Sequence, residues 1–130
     1  FRPTEEARST QETLSHIHEL SAIIANSTRK IPTQSVNGSA DLSFTDMRKK
    51  TLENLKISSD ILRSASDKEL NDFRIIFIRQ SGTRAFPFWN QINGPISDAL
   101  WHVGQVVTFR RSSGNPISGK ANVLTGKVSP

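Results

Sequence analysis

The most informative part of the sequence is residues 96 to 111, Ile-Ser-Asp-Ala-Leu-Trp-His-Val-Gly-Gln-Val-Val-Thr-Phe-Arg-Arg. The pattern indicates a helix with apolar side chains on every side, namely Ile96, Ala99, Leu100, Trp101, Val103, Val106, Val107 and Phe109. A helix without a polar face is typical of the middle of a helical bundle. We therefore expect an all-α bundle with this segment at its centre.

Two polar residues interrupt this apolar helix. Asp98 and His102 are four residues apart, so they project from the same side of adjacent turns, and Gln105 follows on that face. Burying a bare carboxylate and a bare imidazole is unfavourable, so the pair must be hydrogen-bonded or bound to a metal. The structural alternative is a mutually satisfied buried pair that fixes the register of the helix.

A further helix is predicted for residues 9 to 26. It begins at the capping box Ser9-Thr10-Gln11-Glu12, in which a hydroxyl and a carboxylate satisfy exposed backbone amides. His16 lies at the edge of its apolar stripe and can face the interior, whereas His18 is expected in solvent. For His16 the alternative is a half-buried ring bonded to a backbone carbonyl. The stripe consists of Leu14, Ile17, Leu20, Ile23 and Ile24.

The remaining segments complete the predicted bundle. A helix over residues 43–65 begins at Ser43, after a loop, and a short extended segment or small hairpin near 73–79 is expected instead of a sheet. The last helix, 87–111, is opened by Pro87 and should be kinked or divided at Asn93-Gly94-Pro95. Residues 112–130 are expected to form a polar coil.

Composition restricts the class of protein. The 130 residues are expected to form one domain, and no apolar run is long enough to cross a bilayer. The chain has no cysteine, which excludes disulfides and thiolate ligands and fits a cytoplasmic protein. Its net charge of +5 comes from scattered residues, so a nucleic-acid partner is not favoured.

Three of these residues together suggest a metal site. His16, Asp98 and His102 would bring two imidazoles and a carboxylate from two helices to one point. Such a facial set leaves coordination positions open and suits Zn, Ni, Fe or Mn. Helical bundles build metal sites from facing helices in this way.

The same residues carry a resemblance to a known family. The pattern Ser9-x-x-Glu12-x-Leu14-x-His16-Ile17, followed by Asp98-x-x-x-His102-x-Gly104-Gln105, resembles the DinB-like superfamily of four-helix bundles, which includes thiol-dependent S-transferases and isomerases. Its members commonly bind a divalent metal through three histidines, one on the second helix and two in a His-x-x-x-His-x-Gly-Gln motif on the last. The resemblance implies that His16, Asp98 and His102 are ligands, with Gln105 behind them and Gly104 permitting close helix approach.

The sequence departs from the family pattern in two respects. Asp98 replaces a histidine, which gives the site one negative charge and favours a harder ion. The family also has a helix ahead of the Ser9 capping box that this sequence does not contain. That fourth helix is either upstream of Phe1 or supplied by another chain, and we expect a homodimer.

Two classes of function remain open. The first is a metal-dependent enzyme, such as a thiol S-transferase or hydrolase, in which the ion activates a small thiol or water. The second is a non-catalytic, metal-stabilised stress or binding bundle. For substrate binding the candidates are Trp101 and Arg110, although Trp101 and Trp89 are better explained as core residues. Arg110 and Arg111 are also favoured by the dipole at the helix end.

Overall fold

The computed structural model describes residues 1–34, 42–122 and 125–130. Its helices are α1 Thr10–Thr28, α2 Phe44–Ser64, α3 Asp67–Asp72, α4 Asn90–Asn93 and α5 Pro95–Ser112. Its strands are β1 Thr33–Gln34, β2 Arg74–Arg79, β3 Gly82–Pro87, β4 Ala121–Asn122 and β5 Lys127–Val128. Helices α1 and α2 lie within two residues of the predicted ranges, whereas α5 begins eight residues later than predicted and ends within one residue of the predicted end. Part of the predicted loop, residues 35–41, lies outside the described residues.

The helix starts follow the capping signals. The Ser9 hydroxyl accepts from the Glu12 backbone N–H at 3.2 Å, and the Glu12 carboxylate accepts from the Ser9 N–H at 2.6 Å. That second bond, with help from Arg2, lowers the pKa of Glu12 to about 2. Ser43 caps α2 through the Asp46 N–H, as predicted. A further capping box, between Ser66 and Glu69, begins α3, which the sequence analysis missed.

A small sheet is present, so the purely all-α prediction is wrong. Strands β2 and β3 form an antiparallel hairpin, and β1 pairs with β2 in parallel through Thr33 and Gln34. The prediction of an extended piece or hairpin missed β1 because a two-residue strand has no periodicity to detect. Pro87 ends β3 instead of opening a helix. A proline is tolerated there because the outer edge of β3 needs no backbone donor.

The predicted division of the last helical segment is confirmed. Gly94 separates α4 from α5, and a Cβ at this position would lie 2.9 Å from the carbonyl oxygen of Asn90. Pro95 then occupies the first turn of α5, where its missing N–H is not needed. The break sets the start of α5, and therefore the direction in which Asp98 projects.

Helix α1 is at the centre of the bundle. It packs against α2 and against α5, and it buries Leu20, Ile24 and Ala25. The prediction that the segment from residue 96 to 111 is central is wrong: within α5, which is fully described, His102 alone is buried. Periodicity reports the polarity of a helix but not how many neighbours surround it.

The two tryptophans also differ from expectation. Trp89 is 60% exposed and Trp101 is 69% exposed, so neither fills the core. Both lie on surfaces that no other described element covers. The prediction that they are core residues is therefore wrong, for the same reason as the placement of α5.

An apolar groove runs between α2 and α5, with α1 as its floor. Its volume is about 290 Å³. The side chains that line this apolar groove are Ile17, Ser21, Ile24, Thr51, Leu55, Ile96, Ala99, Leu100 and Val103. A helix or a second chain lying here would complete a four-helix arrangement.

Two further expectations need correction. His18 is half-buried against α2, where its Nδ1 lies 3.0 Å from the Thr51 hydroxyl, so it is not a solvent residue. Burial, followed by the charge of Lys50, lowers the pKa of His18. The C-terminal segment is not coil throughout, since β4 and β5 pair through Ala121 and Val128.

Within residues 1–34, 42–122 and 125–130, no helix is long and apolar enough to span a membrane.

Candidate metal centre

Helices α1 and α5 bring the three predicted ligands together. His16 lies in the second turn of α1, Asp98 in the first turn of α5 and His102 one turn later. One ligand atom from each residue lies within 4.8 Å of the other two. The Nε2 atoms of His16 and His102 approach different oxygens of the Asp98 carboxylate, at 3.3 Å and 3.2 Å. The two rings meet edge to face, with their centroids 4.8 Å apart.

The other ring nitrogen of each histidine contacts an acceptor. Nδ1 of His102 lies 2.7 Å from Oε1 of Gln105, and Nδ1 of His16 lies 3.5 Å from a carboxylate oxygen of Glu19. The close acceptor at Nδ1 of His102 holds the proton there, so that Nε2 of its neutral ring presents a lone pair. Metal-binding histidines typically have such an acceptor behind them. Gln105 therefore contacts one of the predicted ligands, whereas Glu19 was missed, although its spacing from His16 was visible in the sequence.

In this arrangement Nε2 of His102 and the carboxylate of Asp98 are both hydrogen-bond acceptors, and they face one another. An ionised carboxylate offers lone pairs alone, as does the Nε2 of an imidazole protonated at Nδ1. The contact of Asp98 with Nε2 of His102 is therefore unfavourable unless a proton or a cation lies between the two atoms. Two nitrogens and one carboxylate oxygen form a donor set that divalent Zn, Ni, Mn or Fe accepts. The residues present thus fit a divalent ion.

One side of the cluster is open. His102 is 7% exposed, whereas the side chain of Asp98 is 46% exposed. A depression of about 540 Å³ lies beside Asp98. It is lined by Leu20, Ile23, Phe77, Asn93, Gly94, Pro95, Ser97, Asp98 and Trp101. The depression is open to solvent and brings Trp101 near the Asp98 carboxylate.

An arginine not anticipated from the sequence also lies at the cluster. Nη1 of Arg8 is 3.3 Å from Nε2 of His102, the nitrogen that also faces Asp98. Arg8 precedes α1 in an irregular segment, where no periodic pattern relates it to α5. The contact depends on the fold bringing the start of α1 beside α5, so no local signal could have identified it.

Arg110 is directed elsewhere. Its guanidinium donates to the carbonyl oxygen of Asn115 at 2.9 Å, to the Asn115 side chain and to the Pro116 carbonyl. These bonds hold the turn that follows α5. Gly104 does not permit a close helix approach as predicted, because a Cβ there would meet nothing within 4 Å. That side of α5 faces no neighbouring helix among the described residues.

Comparison with known proteins gives one likeness, in the fold. The chain aligns with the crystal structure of a DinB-like protein, YjoA of Bacillus subtilis, with a TM-score of 0.58 and 17% sequence identity. The alignment covers 88% of this chain and 73% of that one. No family model and no curated protein sequence matches. The chain therefore has a DinB-like helical fold with a small sheet added, and the expected resemblance is confirmed at the level of fold.

Proposed function

We propose that the chain binds one divalent metal ion through Nε2 of His16, the carboxylate of Asp98 and Nε2 of His102. The observation that carries this proposal is the convergence of three lone-pair donors, with Gln105 and Glu19 behind the two imidazoles. Asp98 lies in the first turn of α5, where the helix dipole favours its negative charge. The fold likeness to a DinB-like protein supports the helical arrangement in which these three residues meet.

The open side favours an enzyme that acts on a small molecule. A divalent ion held there would lower the pKa of a bound thiol or water, which makes either one a nucleophile near neutral pH. His16 and His102 would hold the ion from the α1 side, and Asp98 would offset part of its charge. Phe77 and Trp101 offer apolar contacts to a substrate in the adjoining depression. We infer a metal-dependent transferase or hydrolase, with a small thiol as its substrate or co-substrate.

A second candidate is a non-catalytic bundle stabilised by the ion. It is favoured by the packing of α5, in which His102 is the one buried residue of the helix. An ion held by ligands from α1 and α5 would join the two helices directly. The apolar groove is consistent with a homodimer, and the absence of cysteine is consistent with the cytoplasm.

The test is metal binding by the wild type and by matched variants. Isothermal titration with Zn²⁺ and Mn²⁺ should give one ion per chain, and Asp98→Asn and His102→Gln should each weaken binding by more than about a hundredfold. The control is His18→Gln, which removes an imidazole of α1 that lies outside the cluster and should bind as the wild type does. A wild type that binds neither ion would refute the site.

Water exchange separates the two candidates. With Mn²⁺ bound, an open site leaves a coordination position for water, which raises the relaxation rate of solvent protons, and a thiol ligand should lower that rate again. A closed structural site would show no such enhancement. That result would favour the metal-stabilised bundle and exclude the enzyme.

A further inference from the structure

The position of Arg8 requires an explanation that the metal ligands do not supply. A guanidinium carries donors alone and stays protonated, so it cannot ligate a metal. It nevertheless approaches the ring nitrogen of His102 that faces the proposed ion. An ion at the centre would compete with Arg8 for that lone pair and would repel its charge. Arg8 therefore opposes metal binding unless an anion accompanies the ion.

A structural role explains Arg8 poorly. The residue is exposed and lies before the first turn of α1. The start of α1 is already secured by the Ser9 and Glu12 capping box, with Arg2 paired to Glu12 at 2.8 Å. Removing Arg8 would leave those contacts in place.

We propose that Arg8 binds the carboxylate of a small anionic ligand held at the metal centre. This proposal rests on the proposed function, and it names the class of ligand. The planar guanidinium matches a carboxylate with two parallel hydrogen bonds, which a lysine could not provide. The ligand that fits is a small carboxylic acid with a second group, such as a thiol, for the ion.

The charges near the centre support an anion. A divalent ion would be balanced by the carboxylates of Asp98 and Glu19, which leaves no net charge without Arg8. With Arg8 the centre is positive by one unit. Because one side of the site is open, that charge acts on ligands from solvent and favours an anion over a neutral molecule.

Apolar side chains of Leu20, Phe77 and Trp101 line the depression beside Asp98. Arg8 is not among the residues that line this depression, so a ligand would meet Arg8 at the metal centre itself, beside His102. Arg8 would then act as a specificity residue and not as a metal ligand.

The first experiment measures metal affinity without any organic ligand. Arg8→Gln removes the competing charge, so it should bind Co²⁺ about tenfold more tightly than the wild type. The matched control is Arg110→Gln, which removes an arginine that lies on the turn after α5 and should leave Co²⁺ affinity unchanged. Equal affinity of Arg8→Gln and the wild type would show that Arg8 does not act on the centre, and would overturn the proposal.

The second experiment measures selectivity on the Co²⁺-loaded protein. Mercaptoacetate and mercaptoacetamide have the same thiol and nearly the same size, but mercaptoacetate alone carries a carboxylate. Titrations followed by the visible spectrum of Co²⁺, under anaerobic conditions, should show about tenfold preference of the wild type for mercaptoacetate. Arg8→Gln should lose that preference while keeping its metal, and Arg110→Gln should retain it.

The outcomes separate the two proposals. A wild type that binds Co²⁺ without preferring mercaptoacetate, or an Arg8→Gln variant that keeps the preference, would overturn the role of Arg8 and leave the metal centre intact. A wild type that binds no Co²⁺ would overturn both. Melting temperatures of all variants would confirm that each comparison is made between folded proteins.

Discussion

Helix α5 differs from an ordinary amphipathic helix, because the face that it packs against α1 is polar and an exposed face is apolar. The face toward α1 carries the polar residues, with His102 only 7% exposed, while Leu100 and Val103, which line the apolar groove, are 67% and 46% exposed. Burial of apolar area normally holds a helix in a bundle. In α5 part of that contribution is unused, so the polar contacts, and an ion where one is bound, add to the interactions that hold the helix against α1.

The apolar groove exposes side chains whose burial would stabilise the protein. Fully burying a leucine stabilises a protein by about 1.5–3 kcal/mol relative to leaving it exposed. Leu100 and Val103, together with Leu55 of α2, leave that contribution unrealised along the apolar groove. The inner face, toward α1, carries Asp98 and His102, whereas the outer face, along the apolar groove, carries apolar side chains. We therefore assign the function to the inner face.

The largest expected effect is the stabilisation of the folded protein by an ion bound at the inner face. At a free metal concentration about 1,000 times Kd, binding stabilises the folded state by about 4 kcal/mol, which raises Tm by on the order of 10 °C. Thermal unfolding with Zn²⁺ and with a chelator measures this shift. The Asp98→Asn variant should show almost none of it, and an equal shift in that variant would place the ion elsewhere.

Adjacent residues on the two faces should respond differently to truncation. In the presence of chelator, His102→Ala is expected to destabilise the protein by about 2 kcal/mol, because it empties a buried position and leaves Gln105 without its partner. Val103→Ala should change stability by less than about 0.5 kcal/mol, because Val103 is 46% exposed. Chemical denaturation measures both values. Equal losses would remove the distinction between the faces.

Gln105, the hydrogen-bond acceptor of His102, should affect metal affinity although it is not itself a ligand. Gln105→Leu removes the acceptor of the Nδ1 proton, so metal affinity is expected to fall by about 10- to 100-fold while the fold is retained. Gln105→Glu keeps an acceptor and should restore affinity. Isothermal titration checks both variants, and an unchanged affinity in Gln105→Leu would show that the contact does not orient the ring.

The smallest expected effect belongs to the imidazole outside the cluster. The pKa of His18 is lowered in the folded state, chiefly by burial. Its neutral form therefore contributes stability above the unfolded pKa of about 6.5, and that contribution is lost as pH falls toward the lower folded value. His18→Gln should flatten the fall in stability below pH 6.5, measured by denaturation with chelator present. A steeper fall in the variant would contradict this sign.

Local signals predicted the parts of the fold that depend on local interactions. The capping residues Ser9 and Ser43 located two helix starts, and Gly94-Pro95 located the break before α5. The four-residue spacing of Asp98 and His102 placed both on one face, and the structure places His16 opposite them.

The remaining features depend on contacts between distant segments. Strand β1 exists because Thr33 and Gln34 pair with β2, more than 40 residues away in sequence. Arg8 contacts His102, which lies 94 residues further along the chain, because the fold brings the segment before α1 beside α5. The exposure of Trp101 depends on how many helices surround α5, and the apolar pattern of α5 predicted more neighbours than the described chain supplies.

The most direct test of the account is to locate the ion. Crystals of the protein grown with Zn²⁺ should show, in anomalous difference maps collected above and below the zinc absorption edge, one strong peak bonded to Nε2 of His16, a carboxylate oxygen of Asp98 and Nε2 of His102. The expected distances are about 2.0–2.2 Å, with at least one further position held by solvent. A peak at other residues, or none between α1 and α5, would contradict the central claim that the polar face of α5 is a metal centre.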